Sequence, residues 1–189
     1  SEVLSQSYRI PRSVHHIADS VVQRIQYRQK KVWDPRREEG SVQRTYDANT
    51  VSFGNEDWLV LAQANYMLDD LAEQLTSSGQ YFERKGSPSL AKNVRTAISS
   101  WNYMQEGAGH EISLKEAVNI YDHISSGAGR LKRGAKKMLG GADEKDLFTI
   151  SVLREHFGLE TPDTTWDVAL NRVGDEDRAY ATALLNRGV

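Results

Sequence analysis

The stretch that decides the fold is VLSQSYRIP at residues 3–11, where a short apolar segment leads into a polar loop. The loop places an aromatic ring, Tyr8, beside a guanidinium group, Arg9. Pro11 follows where a helix would begin, and proline suits a first helical position. In open α/β sheets, loops between a strand and a helix commonly contact phosphates and nucleotides. Tyr8 and Arg9 are therefore candidate nucleotide-binding residues, and the alternative is a packed tyrosine beside a solvated arginine.

Outward from this loop, the sequence predicts alternating helices and strands as far as residue 86. Residues 12–28 carry apolar side chains at helical spacing. The run at 58–62, WLVLA, is typical of a central parallel strand covered on both faces. Asn65 is predicted to cap a helix that ends at Gly79, and residues 80–83 are predicted to form the next strand. A strand, a helix and a strand in this order predict a βαβ unit.

Beyond the turn-forming residues 86–89, GSPS, the pattern changes to helices only. Ser113 and Glu116 have the spacing of a capping box at the start of a helix. The sequence therefore predicts an α/β part at 1–86 and an all-α part at 87–189. The helices predicted in the all-α part span residues 90–105, 149–157, 165–172 and 175–187. A further helix begins at the capping box and carries Ala117, Ile120, Tyr121 and Ile124.

A basic glycine-rich stretch at residues 125–137, SSGAGRLKRGAKK, is the second candidate site. Its three glycines permit tight turns, and its five cations have no acid among them. Such a loop can bind the phosphates of a DNA duplex without reading its sequence. The alternative is a flexible basic turn whose charge is balanced downstream. The acids that would balance it are Asp143, Glu144 and Asp146.

Composition excludes several classes of site. Cysteine is absent, which rules out disulfides and thiolate chemistry and suits the cytoplasm. No apolar run approaches the roughly 20 residues that cross a bilayer, so no membrane partner is expected. The net charge of −2 by itself says nothing about nucleic acid. The five scattered histidines form no metal-binding motif, and no metal site is expected.

These segments together resemble UvrD/Rep-type superfamily 1 DNA helicases, particularly phage-type members. Residues 5–18, SQSYRIPRSVHHIA, are similar to motif IV of that family. Residues 58–86, WLVLAQANYMLDDLAEQLTSSGQYFERKG, are similar to its next conserved block. The remainder is similar to the helical insertion that splits the second motor domain. The resemblance covers nearly the whole chain and keeps the family's order.

The resemblance implies a fold and a set of sites. The fold would be α/β plus all-α: a partial RecA-like parallel sheet with helices, followed by a helical insertion subdomain. Tyr8 would lie near the adenine of ATP, Arg9 would contact its γ-phosphate, and Asn65 would contact single-stranded DNA. In this family arginine usually stands where this chain has Gln63, so one cationic contact is missing. The residues implied to contact double-stranded DNA are Gly127, Gly129, Lys132, Arg133, Gly134, Lys136 and Lys137.

The chain has no G-x-x-x-x-G-K-[ST] phosphate loop, so it cannot form a complete ATP site. We therefore expect a fragment of a longer helicase, with ATP and Mg²⁺ bound mainly by the first motor domain of the same polypeptide. The isolated chain is not expected to hydrolyse ATP. Two alternatives stay open at this point: a non-enzymatic DNA-binding module that uses the basic loop, and a helical protein-interaction domain.

Overall fold

The structure is a computed structural model that describes residues 6–29, 32–47, 50–54 and 56–188. The apolar start predicted at residues 3 and 4 lies outside the described residues. The chain divides into two compact units, Ser1–Trp58 and Leu59–Val189. The boundary predicted between residues 86 and 87 falls inside the second unit.

The first unit is built around one helix, α1, at Arg12–Val22. The segment after α1 returns alongside the segment before it, where Gln6 and Asp34 form a parallel bridge. The amide of Arg36 also donates to the carbonyl oxygen of Ile10 at 3.0 Å. None of the described residues in this unit is buried, and Val21 on the apolar face of α1 is 54% exposed.

The second unit is helical with two small antiparallel sheets. A 3₁₀ helix at Asn65–Leu68 precedes the first of its α-helices. The α-helices are α2 (Asp69–Ser77), α3 (Lys92–Glu106), α4 (Leu114–Asp122), α5 (Ala135–Leu139), α6 (Ile150–His156), α7 (Trp166–Ala169) and α8 (Asp175–Asn186). The strands are β1 (Glu83–Arg84), β2 (Ser87–Pro88), β3 (Ile112–Ser113) and β4 (Leu147–Phe148), with β1 paired to β2 and β3 to β4.

The hydrophobic core of this unit lies where α3 packs against α4 and α7. Trp101 on α3 is completely buried, and its indole N–H donates to the Thr164 carbonyl oxygen at 2.9 Å. That bond satisfies the one polar atom of a large apolar side chain, as buried tryptophans usually require. The core thus ties α3 to the segment that leads into α7.

The capping box predicted at the start of α4 is confirmed. Ser113 Oγ accepts from the amide of Glu116, and the Glu116 carboxylate accepts from the amide of Ser113 at 2.8 Å. These reciprocal bonds satisfy two backbone donors that a helix start leaves free. α4 therefore begins where the sequence predicted it, and the basic loop follows its C-terminal end.

The predicted parallel sheet is not seen in the described part of the chain. Residues 58–62 belong to no strand, and Leu59 is 83% exposed. A strand needs a neighbour for its backbone groups, and no described segment pairs with this one. The strand predicted at 80–83 instead begins at Glu83 and forms a hairpin. Its two-residue turn, Lys85 and Gly86, has positive φ at both positions, the geometry that joins antiparallel strands tightly.

Candidate nucleic-acid interface

The basic loop at residues 125–137 is anchored to the core of the second unit. Leu131, in the middle of the loop, is fully buried and forms an antiparallel bridge with Leu159. The amide of Lys132 donates to the Gly158 carbonyl oxygen at 2.9 Å. Gly158 has a φ of +72°, and a Cβ atom there would lie 3.0 Å from the Lys132 Cβ. Glycine at 158 therefore lets the loop pack closely on the segment after α6.

Arg130 has a structural role in this anchoring. Its guanidinium donates to the Val168 carbonyl oxygen at 2.6 Å. Its own carbonyl oxygen accepts from the Glu160 amide at 2.7 Å and from Thr161 Oγ1 at 3.3 Å. Both the side chain and the backbone carbonyl of Arg130 are thus bonded within the protein. Arg130 is therefore the least available cation of the loop for an external ligand.

The remaining four cations of the loop differ in their partners. Arg133 and Lys137 are exposed, and neither makes an ion pair with a described carboxylate. Lys132 is exposed, with its Nζ 4.0 Å from Glu160 Oε1. Lys136 pairs with Asp122 at 3.1 Å. Two cations of this loop are therefore free, one is loosely paired and one is paired.

The acids predicted to balance the loop form no ion pair with its cations in the described structure. The carboxylates of Asp143 and Asp146 instead accept backbone amides within their own turn. The acids that pair with the loop are Asp122 and Glu160. Glu160 lies about thirty positions along the chain and meets the loop only through tertiary packing, so no local pattern could have identified it.

An open groove of about 560 Å³ lies beside two of the loop cations, Lys132 and Arg133. Its lining residues are Ser126, Gly127, Ala128, Leu131, Lys132, Arg133 and Glu160. The three glycines of the loop, Gly127, Gly129 and Gly134, all have positive φ, and a Cβ at any of them would meet no neighbour within 4 Å. Backbone conformation, and not lack of space, therefore favours glycine at these positions.

Tyr8 and Arg9 lie in a bend of the first unit, between the bridge at Gln6 and the start of α1 at Arg12. Tyr8 is 83% exposed and Arg9 is exposed as well. No described carboxylate lies within ion-pair distance of Arg9. Both side chains are therefore free to contact a ligand.

Asn65 does not act as the helix cap that the sequence predicted. It is the first residue of the 3₁₀ helix, and the side chain of the capping position, Ala64, makes no hydrogen bond. The Asn65 carbonyl oxygen accepts from Arg84 Nη2 at 2.6 Å, and Arg84 also pairs with Asp69 at 2.7 Å. The hairpin thus brings a cation, Arg84, beside Asn65. This contact was not predictable from local sequence, because the two residues lie 19 positions apart.

Other kinds of site receive no support from the described side chains. Among them, no group of three or more histidines or carboxylates is placed to hold a metal ion. None of the helices in the described part of the chain is long and apolar enough to cross a bilayer. The two features on which a function can be built are the basic loop and the Tyr8–Arg9 bend.

Comparison with known proteins adds no relative to these observations. No protein-family model, curated protein or solved structure matches the chain. A function must therefore be argued from the residues and their geometry.

Proposed function

We propose that this chain is part of a UvrD/Rep-type superfamily 1 ATP-dependent DNA helicase. Residues 1–86 would contribute part of the second RecA-like motor domain, and residues 87–189 would form the helical insertion. ATP and Mg²⁺ would be held mainly by the first motor domain of the same polypeptide. The order of the motif-like segments along the chain supports the proposal.

The observation that carries the motor role is the exposed Tyr8–Arg9 bend at the start of α1. The tyrosine ring would lie near the adenine, and the guanidinium would contact the γ-phosphate. Arginine is always charged, and its planar fork of N–H donors matches phosphate oxygens. Such a group stabilises the charge that develops on a phosphoryl group during its transfer. Arg9 is exposed and has no described ion-pair partner, so it is available for this task.

DNA would be bound at two further places. Single-stranded DNA would pass Asn65. Arg84 lies beside this residue, but its guanidinium pairs with Asp69 at 2.7 Å and does not replace the arginine that the family usually has at position 63. The duplex would lie against the basic loop through Lys132, Arg133, Lys136 and Lys137. ATP-driven closure and reopening of the two motor domains would then move the protein along the single strand.

The motor proposal is tested by the coding sequence upstream and by the longer protein that it encodes. We expect a phosphate-loop motif upstream of residue 1. In the longer protein, Arg9→Ala should lower kcat for ATP hydrolysis by about 10³-fold or more, because a transition-state cation is lost. Arg24→Ala removes an exposed arginine near the end of α1 and serves as the matched control. An upstream reading frame without the phosphate loop, or an Arg9→Ala enzyme with normal turnover, would contradict the proposal.

A second candidate function is a non-enzymatic DNA-binding module, which the groove beside the basic loop favours. The chain itself should then bind duplex DNA, with an affinity that falls steeply as salt is raised. Replacing Lys132, Arg133, Lys136 and Lys137 together by alanine should abolish binding in a fluorescence-anisotropy titration. Absence of duplex binding by the unmodified chain would favour a helical protein-interaction domain instead. A phosphate loop upstream distinguishes the helicase from the binding module.

A further inference from the structure

The carboxylate of Glu160 lies in the groove that borders the basic loop. Its Oε2 accepts from the backbone N–H of Gly129 at 3.3 Å, and its Oε1 lies 4.0 Å from Lys132 Nζ. It is the one acidic side chain among the residues that line the groove. A backbone amide and an ammonium group therefore converge on a single anion inside the proposed DNA contact.

Glu160 is held at this position by its backbone and not by its charge. Its amide donates to the Arg130 carbonyl oxygen at 2.7 Å. The hydroxyl of the next residue, Thr161, donates to the same oxygen at 3.3 Å. These bonds would survive a change of the Glu160 side chain, so the carboxylate can move while the loop stays in place.

Backbone amides and lysine side chains are the donors that proteins commonly offer to DNA phosphates. We propose that Glu160 is an internal competitor that occupies the position of a DNA phosphate and must be displaced when a duplex binds. The inference rests on the proposed duplex contact of the basic loop. The side chain of Glu160 is 36% exposed and its contacts are long, so displacement requires only a change of rotamer.

Such a competitor would set the strength of the duplex contact. While Lys132 faces Glu160, each arriving phosphate must first replace a carboxylate, which weakens binding and speeds release. A contact that forms and breaks readily suits a protein that changes position on DNA. Glu160 would therefore determine affinity without contacting the DNA itself.

The test is Glu160→Gln in the full chain, with a short duplex of random sequence as the probe. Glutamine keeps an oxygen for the Gly129 N–H and removes only the charge. If Glu160→Gln allows one additional phosphate contact, the slope of log affinity against log salt should steepen by about 0.9. The variant should then bind the duplex about tenfold more tightly than the unmodified chain at about 50 mM salt, with little difference near 1 M. Glu73→Gln, the same charge change at an exposed site on α2, is the control and should alter affinity less than about twofold.

The outcomes distinguish failure of the Glu160 inference from failure of the proposed duplex contact. If the unmodified chain binds and Glu160→Gln has the same or lower affinity, Glu160 is not a competitor but the loop contact stands. If neither protein binds, both proposals are wrong. A second comparison uses Lys132→Gln, which removes the cation that Glu160 faces. In that background Glu160→Gln should gain less than about threefold, and a full tenfold gain would overturn the pairing on which the inference depends.

Discussion

At the scale of single residues, Arg154 joins α6 to the segment that precedes α7. Its Nη2 donates to the Thr161 carbonyl oxygen at 3.0 Å and to Asp163 Oδ1 at 2.8 Å. The hydrogen bond and the positive charge of Arg154 lower the pKa of Asp163 below its usual value of 3.8. This pair borders Thr161, and through it the backbone that positions Glu160.

We expect Asp163→Asn to lower the melting temperature at neutral pH by no more than about 3 °C, since exposed ion pairs contribute little. A carboxylate whose pKa is lower in the folded state stabilises the protein at pH values above its unfolded pKa, which is near 3.8. This contribution is lost as the pH falls through the lower, folded-state pKa. The difference between variant and wild type should therefore disappear in strong acid. Thermal unfolding followed by circular dichroism at several pH values measures this difference in melting temperature. A difference that grows towards low pH would contradict a lowered pKa for Asp163.

Individual residues also show what local sequence can predict about a site. The capping box at Ser113 was predictable because both partners lie within four positions of each other. The cations of the basic loop were visible in the same way. Glu160 and Gly158 were not, because the segment after α6 meets the loop only through tertiary packing. Asn65 was predicted wrongly as a cap, since a 3₁₀ turn begins at that residue.

At the scale of elements, α3, α4, α6 and α8 lie close to their predicted positions, and the strands do not. α5 was not predicted, because its first residues belong to the stretch that was predicted to be a loop. Helical hydrogen bonds and helical spacing are local, so α3 and α8 could be identified from their own residues. A strand depends on a neighbour, and the apolar run at 58–62 has none among the described residues. The hairpin of β1 and β2 was missed because its turn places Lys85, a residue type that rarely adopts positive φ, before Gly86.

The end of α2 gives an element-scale prediction. Gly79 has a φ of +64°, and a Cβ there would lie 2.6 Å from the Ala183 Cβ and 2.9 Å from the Ala183 backbone. Gly79→Ala should therefore destabilise the protein by about 2–4 kcal/mol, from backbone strain together with a clash against α8.

Gly109→Ala is the control for this change, because Gly109 has no positive φ and a Cβ at position 109 would meet nothing within 4 Å. Urea unfolding of both variants measures the effect, and the control should stay within about 0.5 kcal/mol of wild type. Equal stabilities for the two variants would mean that α8 does not pack on the end of α2 as described.

At the scale of the whole molecule, burial is distributed unequally. The described residues of the first unit include no buried side chain, whereas α3 and α4 in the second unit contribute fully buried ones such as Trp101 and Ile120. An isolated helix as short as α1 is marginally stable in water without tertiary packing. Resistance to unfolding should therefore differ between the units.

Amide hydrogen exchange followed by mass spectrometry measures this difference. Peptides from α3 and α4 should exchange at least about 100-fold more slowly than peptides from α1, because their amides open only with the core. The comparison needs no variant, since each unit serves as the reference for the other. Exchange in α1 as slow as in α4 would indicate that its apolar face is covered in solution.

The hydroxyl of Tyr180 on α8 contacts the chain on either side of the β1–β2 hairpin. The Tyr180 hydroxyl donates to the Gln80 carbonyl oxygen at 2.7 Å and lies 2.6 Å from Ser89 Oγ. These contacts hold α8 against residues 80 and 89, which lie far earlier in the sequence. Residues 80–180 therefore form a closed loop of the chain, and a cut within that loop leaves its two ends joined through Tyr180 while the fold persists.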